Sequence, residues 1–417
     1  MSKLKVLNIS SGDLVGSRFN GFDWHQKFEE LDIDSKLLVS WNYDSKEEWV
    51  DLLSEDFRGK QDRNVARLTY LASQQRGKED FPFYWSKQIF EHLSYKDADV
   101  VHLQIIHDGT LDLATIKRII SEKPTVWTWH DPWPMTGHCV YPMSCKRFAL
   151  GCGECPDLER TFSVGRDHTR FNREIKKDYF KTGYTLHIAS EWFANYIQEN
   201  TGQDFPAPQI IPFGLDLKRF SNTRKTVLLS SADKNLRKFT IGIRAVREAQ
   251  KNFDLFRNAL MNIENPERFR IVTLQEKGML ANLDPRIEIE EIGWTNSSED
   301  LENFFNEIDI FVMPSLFETF GFMALEAMAS GVPVVGVGGT AVDEVCDLNV
   351  TGFKISGNSS YELQMLLSDL PELTNELAIK SLVGVERVQE YFHLENFCKK
   401  MKNLYLKAIE EFNFAKN

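Results

Sequence analysis

The 417-residue sequence contains no apolar run of 18 residues, so no membrane-spanning helix is expected. It has no low-complexity tract, and its amino terminus, Met-Ser-Lys-Leu-Lys-Val, carries no signal-peptide apolar region. Positive charge is in deficit: 49 Lys and Arg face 61 Asp and Glu, a formal net charge of -12. A nucleic-acid backbone wants the opposite balance, and nucleic acid is excluded as a partner. Cysteine is scarce, six in all, which suits a reducing compartment better than a disulfide framework. These absences leave a soluble, cytoplasmic chain, long enough for two domains of roughly 200 residues each.

What is present is an alternation of short β-branched runs with helical patterns. Lys5–Ser10, Ser35–Trp41, Val100–Ile106, Thr125–Thr128, Thr185–Ala189 and Gln209–Ile211 read as strands of one doubly wound parallel sheet. Ser190 is a natural cap for the helix that follows the fifth of them. A second set opens with a strand at Thr226–Ser231 and a helix over Thr240–Lys251. Strands at Arg270–Leu274 and Ile287–Glu290 continue it, and one long helix runs from about Thr374 to Leu406. The fold class is α/β, two Rossmann-like doubly wound parallel-sheet domains facing a cleft, with a hinge near residue 215. The domains are 1–215, with a Cys-rich loop at 137–157, and 216–392; a closing helix, 393–417, packs back on the first. Gly16, in the loop after the first strand, either lets backbone approach a ligand or serves a tight turn only.

One βαβ unit concentrates the chemistry. A buried strand ends near Met313, a helix runs from about Phe320 to Ala329, Gly331 stops it, and Val332–Val337 is the next strand. Glu318 and Glu326 flank the helix start and sit among Leu316, Phe317, Phe320, Phe322, Leu325 and Met328. Charges in such company are usually there for a partner. Carboxylates accept hydrogen bonds from hydroxyls, and a helix N-terminus attracts an anion. The ligand that fits is polyhydroxylated at both ends and anionic in the middle.

The stretch Glu318-Thr-Phe-Gly-Phe-Met-Ala-Leu-Glu326 resembles the E-x7-E signature of the GT4 family of retaining glycosyltransferases, whose fold is GT-B. The resemblance covers nearly the whole chain. It implies that Glu318 holds donor-sugar hydroxyls, that Glu326 holds the ribose, and that Phe320, Gly321 and Phe322 present backbone N–H groups to the donor. Gly338-Gly339-Thr340 with Glu344 is similar to the stretch that follows in that family, one residue wider. Arg237 and Lys238 match its basic pair for the diphosphate. Phe239 replaces the usual glycine, and Ser230-Ser231-Ala232 stands where a Gly-Arg is usual. Side-chain cations in that role make a catalytic metal unnecessary.

The run Trp127-Thr-Trp-His-Asp-Pro-Trp-Pro-Met-Thr-Gly-His-Cys resembles a motif of bacterial surface-polysaccharide transferases, including the colanic-acid-like group. By that resemblance His130 lies near the donor sugar and the acceptor, and Asp131 orients it or meets the acceptor hydroxyl. The expected activity is hexosyl transfer from a nucleotide-diphosphate sugar to a saccharide or undecaprenyl-diphosphate-linked acceptor. The other readings are an epimerase or hydrolase on the same scaffold, or a sugar-nucleotide-binding assembly protein without turnover.

Cys139, Cys145, Cys152 and Cys155 crowd into 17 residues. Structural zinc, unliganded thiols and two disulfides are the three readings, zinc leading because soft thiolates suit it. After them Arg166, Arg170, Arg173, Lys176, Lys177 and Lys181 form either a solvated helix or a positive face for peripheral contact with the inner membrane. Arg58, Lys60, Arg63, Arg67, Arg76 and Lys78 make a second locally basic stretch.

Overall fold

A computed structural model of the chain describes residues 3–42, 44–54, 60–220, 237–295 and 297–416. Two units separate, Met1–Phe213 with Leu394–Asn417, and Gly214–His393. Each is an all-parallel sheet with helices around it.

The first unit strings β1 (Leu4–Gly12), β2 (Ile33–Asn42), β3 (Val50–Leu52), β4 (Val100–Leu103), β5 (Thr125–Thr128), β6 (Thr185–Ile188) and β7 (Gln209–Ile210). Their spatial order is β3-β2-β1-β4-β5-β6-β7. The edge strand β3 has no counterpart among the expected strands; three residues are too few for a period-2 signal. β4 to β6 are buried at every position, as strands covered on both faces must be. Ser190 caps the helix Glu191–Thr201 by accepting from Phe193 N at 3.1 Å.

The second unit strings β8 (Phe239–Ala245), β9 (Phe269–Gln275), β10 (Glu288–Gly293), β11 (Ile310–Met313), β12 (Val334–Val337) and β13 (Phe353–Ile355). The order among the described residues is β10-β9-β8-β11-β12-β13. The helix expected over Thr240–Lys251 is therefore a strand at its start. Thr240, Ile241 and Ile243 are β-branched and prefer a pleat. Gly242 lets a neighbour come close: a Cβ there would meet Ile308 Cδ1 at 2.3 Å. The strand expected at Thr226–Ser231 lies outside the described residues.

The long terminal helix is two helices, Thr374–Tyr391 and Leu394–Lys416. The break coincides with a backbone pairing, Leu215 N donating to Phe392 O at 2.7 Å beside a bridge from Leu215 to His393. The final helix then packs on the first unit. Phe397 meets Trp24 edge-on at 4.8 Å, and the Tyr405 hydroxyl bonds His102 Nδ1 at 2.8 Å. Both members of that last pair are fully buried. Tyr405→Phe leaves His102 short of a partner, and the expected cost is about 1–2 kcal/mol. A urea midpoint for near-ultraviolet circular dichroism equal to that of the parent chain contradicts this.

Candidate active site

In an open parallel sheet the loops leaving adjacent strands diverge where the strand order reverses, and ligands bind in that crevice. In the second unit the reversal lies between β8 and β11. The loop after β8 is stapled to the loop after β11: Leu316 N donates to Gln250 O at 2.8 Å, and Asn252 Nδ2 to Pro314 O at 3.2 Å and Gly357 O at 2.9 Å. Asn252 takes a left-handed conformation, φ 54°, which Asn tolerates better than most residues. The result is that Lys251 Nζ lies 2.5 Å from Glu318 Oε1, both side chains 13% exposed. Arg244, one residue from the end of β8, reaches Gln275 at the end of β9.

Gly321 caps the helix Phe322–Ala329 at φ 94°, where a Cβ would press on Val342 at 3.0 Å. The helix thus begins two residues later than expected. Glu326 is on it and buried at 1% exposure. Phe320 is buried against Phe322 and Phe392, so its ring is packing and only its backbone could face a ligand. Gly339 N donates to Asp343 Oδ2 at 2.8 Å, and Lys354 Nζ pairs with the same oxygen at 2.8 Å. An open polar depression adjoins this edge, lined by Arg247, Glu248, Asn252, Arg257, Gly278 and Asn282.

Arg237 and Lys238 are elsewhere, and this corrects their expected place. They directly precede β8, at the edge of the sheet opposite its exit loops. A seven-residue strand puts the two edges about 20 Å apart. Arg237 makes a two-pronged pair with buried Asp309, at 2.8 and 2.6 Å, and Lys238 Nζ lies 3.4 Å from Glu288. Among the cations at this edge, Arg244 and Lys251 stand closest to the β8/β11 reversal. A signal for both existed: Gly242-Ile243-Arg244 closes a β-branched run, and Lys251-Asn252 precedes a helix with Asn in a glycine-like conformation.

The first unit has its reversal between β1 and β4, and the sequence-expected residues gather there. His130, at the end of β5, hydrogen-bonds Gln104 Oε1 through Nε2 at 2.8 Å. Its ring stacks on Phe213 at 5.8 Å and tilts against Phe19 at 4.9 Å. Gly16 supports Phe19: at φ 82°, a Cβ would meet that ring at 2.7 Å. Gly16 therefore serves a tight turn that seats Phe19 beside His130. Burial holds the His130 imidazole neutral, its pKa lowered to about 3. Behind it, Thr128 Oγ1 joins His102 Nε2 and His187 Nδ1, each at 2.7 Å, and His187 Nε2 donates to Ile211 O at 2.8 Å. Burial lowers His102 well below its usual value and His187 to about 4.

Asp131 does not orient His130; Gln104 does. Asp131 Oδ1 accepts from Trp133 N at 2.8 Å, and Oδ2 lies 3.2 Å from His107 Nε2. Burial opposes the charge on His107, but Asp131 outweighs it and raises the pKa. His107 and Glu79, neither foreseen, line an aromatic cavity with Tyr70, Phe83, Trp133 and Phe162. The buried Lys176 ammonium sits 2.8 Å from Glu79, so it belongs to this core and not to a positive face. Burial pushes the Glu79 carboxyl up and the Lys176 ammonium down, each partly restored by the other. Arg173 and Lys177 both pair with Asp204, at 2.8 and 2.6 Å.

Cys139, Cys145, Cys152 and Cys155 line one small cavity with His138, and none is in a disulfide. Cys155 Sγ lies 3.5 Å from His138 Nε2. Burial pushes Cys139 up to about 12 and Cys152 to about 11. Among the described residues, no three His, Cys, Asp or Glu side chains are grouped to hold an ion.

Comparison with known proteins places this geometry. The family described as "Glycosyl transferases group 1" matches residues 239–370. The chain is 22% identical over 301 residues to the Escherichia coli protein named as colanic acid biosynthesis glycosyl transferase WcaC, covering 67% of this chain and 68% of that one. Among solved structures, WaaG, a glycosyltransferase involved in lipopolysaccharide biosynthesis, superposes with a TM-score of 0.65 at 13% identity, over 96% of this chain and 99% of that one. Anabaena HepE in complex with UDP-glucose superposes at 0.61 and 14% identity, over 97% and 99%.

Three outcomes are expected. An unfolded histidine protonates near pH 6.5, whereas folded His130 and His187 resist until about 3 and about 4. Below pH 6.5 the unfolded chain thus binds protons that the folded chain does not. Stability should fall between about pH 6.5 and 5 by about 1.4 kcal/mol per pH unit for each such histidine. His107, shifted the other way, has already made its contribution by pH 6.5 and adds no slope below it. A flat urea midpoint over that window contradicts the assignment. Separately, Arg237→Met should destabilise the second unit by about 2 kcal/mol by removing the cation paired with buried Asp309, which keeps its bond from Thr240 N, with the half-exposed partner discounted. Lys251→Met should leave the melting temperature within a few degrees and abolish turnover; the reverse pattern restores Arg237 to the site.

Proposed function

We propose that the chain, whose residues 239–370 match the glycosyl transferases group 1 family and whose fold is GT-B, transfers a glycosyl unit from a nucleotide-diphosphate sugar into a surface polysaccharide. The observation that carries the site assignment is the Lys251–Glu318 contact at the β8/β11 reversal, beside Gly321 and Glu326. Glu318 accepts hydrogen bonds from donor-sugar hydroxyls, and Lys251 holds it in place. Glu326, buried on the helix, takes the ribose hydroxyls.

When the glycosidic bond breaks, negative charge grows on the diphosphate. Arg244 and Lys251 stand at that edge to receive it, aided by the N–H groups that open the helix after Gly321. Configuration at the anomeric carbon is retained, and the leaving phosphate takes the acceptor proton. His130, neutral and fixed by Gln104, offers hydrogen bonds to the transferred sugar or the acceptor rather than charge. Asp131 shapes the loop through Trp133 and His107. The acceptor, a saccharide or a lipid-diphosphate-linked saccharide, belongs to the first unit.

The cysteine loop is proposed to take up a structural zinc ion: Cys139, Cys145, Cys152 and Cys155 line one cavity with His138, and because no three of these side chains are grouped to hold an ion, the thiols would have to draw together around it. The ion's charge would reverse the upward pKa shifts by stabilising thiolates. Elemental analysis of purified protein should give about one zinc per chain. A content near zero, with the fold intact, refutes this part alone.

A panel of uridine, guanosine, adenosine and thymidine diphosphate sugars should include one that raises the melting temperature and yields transfer product. Stabilisation by none of them overturns the reading. With that donor, Glu318→Gln should lower kcat by about 10²-fold or more while nucleoside diphosphate binding is kept. Glu326→Gln should instead weaken nucleotide binding. Equal losses of nucleotide binding in both variants contradict the division of roles.

A further inference from the structure

The aromatic cavity of the first unit has a volume of about 60 Å³ and opens to solvent past half-buried Phe81 and Phe162. Benzene needs a cavity of about 150 Å³ and a liquid water takes about 30 Å³, so a pyranose ring does not enter whole, whereas a group of about four heavy atoms does. Most polar side chains in the lining are already engaged. Glu79 Oε1 accepts from Trp133 Nε1 at 3.2 Å, and its other oxygen pairs with Lys176. Asp112 accepts from Phe83 N and Thr115 N, and Gln74 Nε2 donates to the Tyr70 hydroxyl.

His107 is the exception. Its Nε2 lies 3.2 Å from Asp131 Oδ2, and its ring stacks on Trp133 at 5.0 Å. The side chain is only 8% exposed, yet Nδ1 has no hydrogen-bond partner among the described residues. With Nε2–H committed to the Asp131 carboxylate, Nδ1 accepts from an N–H when the ring is neutral and donates to a carbonyl when it is charged. A secondary amide offers both, and a methyl on its carbonyl suits the aromatic walls. An ester-linked acetyl supplies the acceptor alone, and a deoxy-sugar methyl supplies neither.

The cavity also adjoins the edge where His130 stands. Gln104 and His107 lie on the exit segment of β4, His130 and Asp131 on that of β5. His130 meets Gln104, and one residue further along Asp131 meets His107. The three residues of chain from Gln104 to His107 span at most about 10 Å, less than the reach of a substituted sugar held at His130.

We propose that this cavity takes the acetamido group of an amino-sugar acceptor, with His107 Nδ1 on the amide and the methyl against Trp133 and Phe83. His107 is then a specificity-determining residue, and Asp131 positions it. Acetamido recognition rests on the reading that the first unit holds the acceptor, and it narrows the class of that acceptor.

The test is saturation-transfer NMR on the full chain without donor. The probes are the methyl glycosides of N-acetylglucosamine, N-acetylgalactosamine and N-acetylmannosamine, beside those of the parent hexoses. In at least one acetamido glycoside the acetyl methyl should receive the strongest saturation. Its parent hexose should bind about tenfold more weakly, short of one buried methyl and one hydrogen bond. His107→Gln keeps a polar atom toward Asp131 and none at the place of Nδ1, and should weaken binding by about fivefold or more. His107→Asn puts a polar atom back at that place and should recover part of the loss. Equal binding of hexose and acetamido glycosides, or binding of neither, overturns the proposal. So does unchanged affinity in a His107→Gln chain that melts like the parent; if that variant unfolds, the hexose comparison on the parent chain decides alone. Acetyl saturation seen only when the amino sugar is carried on uridine diphosphate moves the group to the donor and overturns the acceptor assignment. A parent chain that binds an acetamido glycoside yet is stabilised by no nucleotide sugar leaves the cavity standing and removes the donor reading instead.

Discussion

The organising constraint is the reversal of strand order within each parallel sheet. Strands β8 and β11 are neighbours, yet the chain leaves them in opposite directions. Their two exit loops therefore part and leave a crevice between them. In the second unit the loops are tied across the crevice by Gln250, Asn252 and Leu316. Lys251 and Glu318 then meet as a consequence of backbone pairing, with no need for long flexible side chains to find one another. The same rule in the first unit brings the Gly16 turn, Gln104 and His130 to one edge.

The two edges differ in electrical character, and the difference follows from burial. The second unit sets an ion pair at its edge, Lys251 with Glu318, one strand end away from Arg244. The first unit buries histidines in succession, where desolvation removes their charge and leaves directional hydrogen bonds. One edge is thus suited to a ligand that carries charge, the other to hydroxyls. Between the buried imidazoles, Thr128 works as a hinge of two hydrogen bonds, so the tautomers of His102 and His187 are set together.

Much of this was legible in the sequence. The β-branched runs of the first unit, the Ser190 cap and the Glu318/Glu326 helix are local signals, and they hold to within a few residues. What was lost is equally local in cause. Thr240–Lys251 mixes β-branched residues with good helix formers, and the strand forms where Thr240, Ile241 and Ile243 cluster, with Gly242 admitting Ile308. Misplacing that strand shifted the cations by a whole element, to Arg237 and Lys238, when Arg244 and Lys251 sit at the edge. Asp131 was misjudged for a different reason. Its partner, His107, is remote in sequence and has no motif of its own.

The break at Phe392 and His393 has a consequence for how the protein comes into being. Residues 394–416 complete the first unit: Phe397 covers Trp24, and the Tyr405 hydroxyl closes a bond to a histidine 303 residues earlier. On the ribosome, the first sheet is therefore made before the second unit but lacks its last wall until residues 394–416 have followed that whole unit. The second unit is contiguous and has all its residues first. The order of manufacture and the order of completion are inverted, and a growing chain must shelter a half-built sheet while its younger neighbour is already whole.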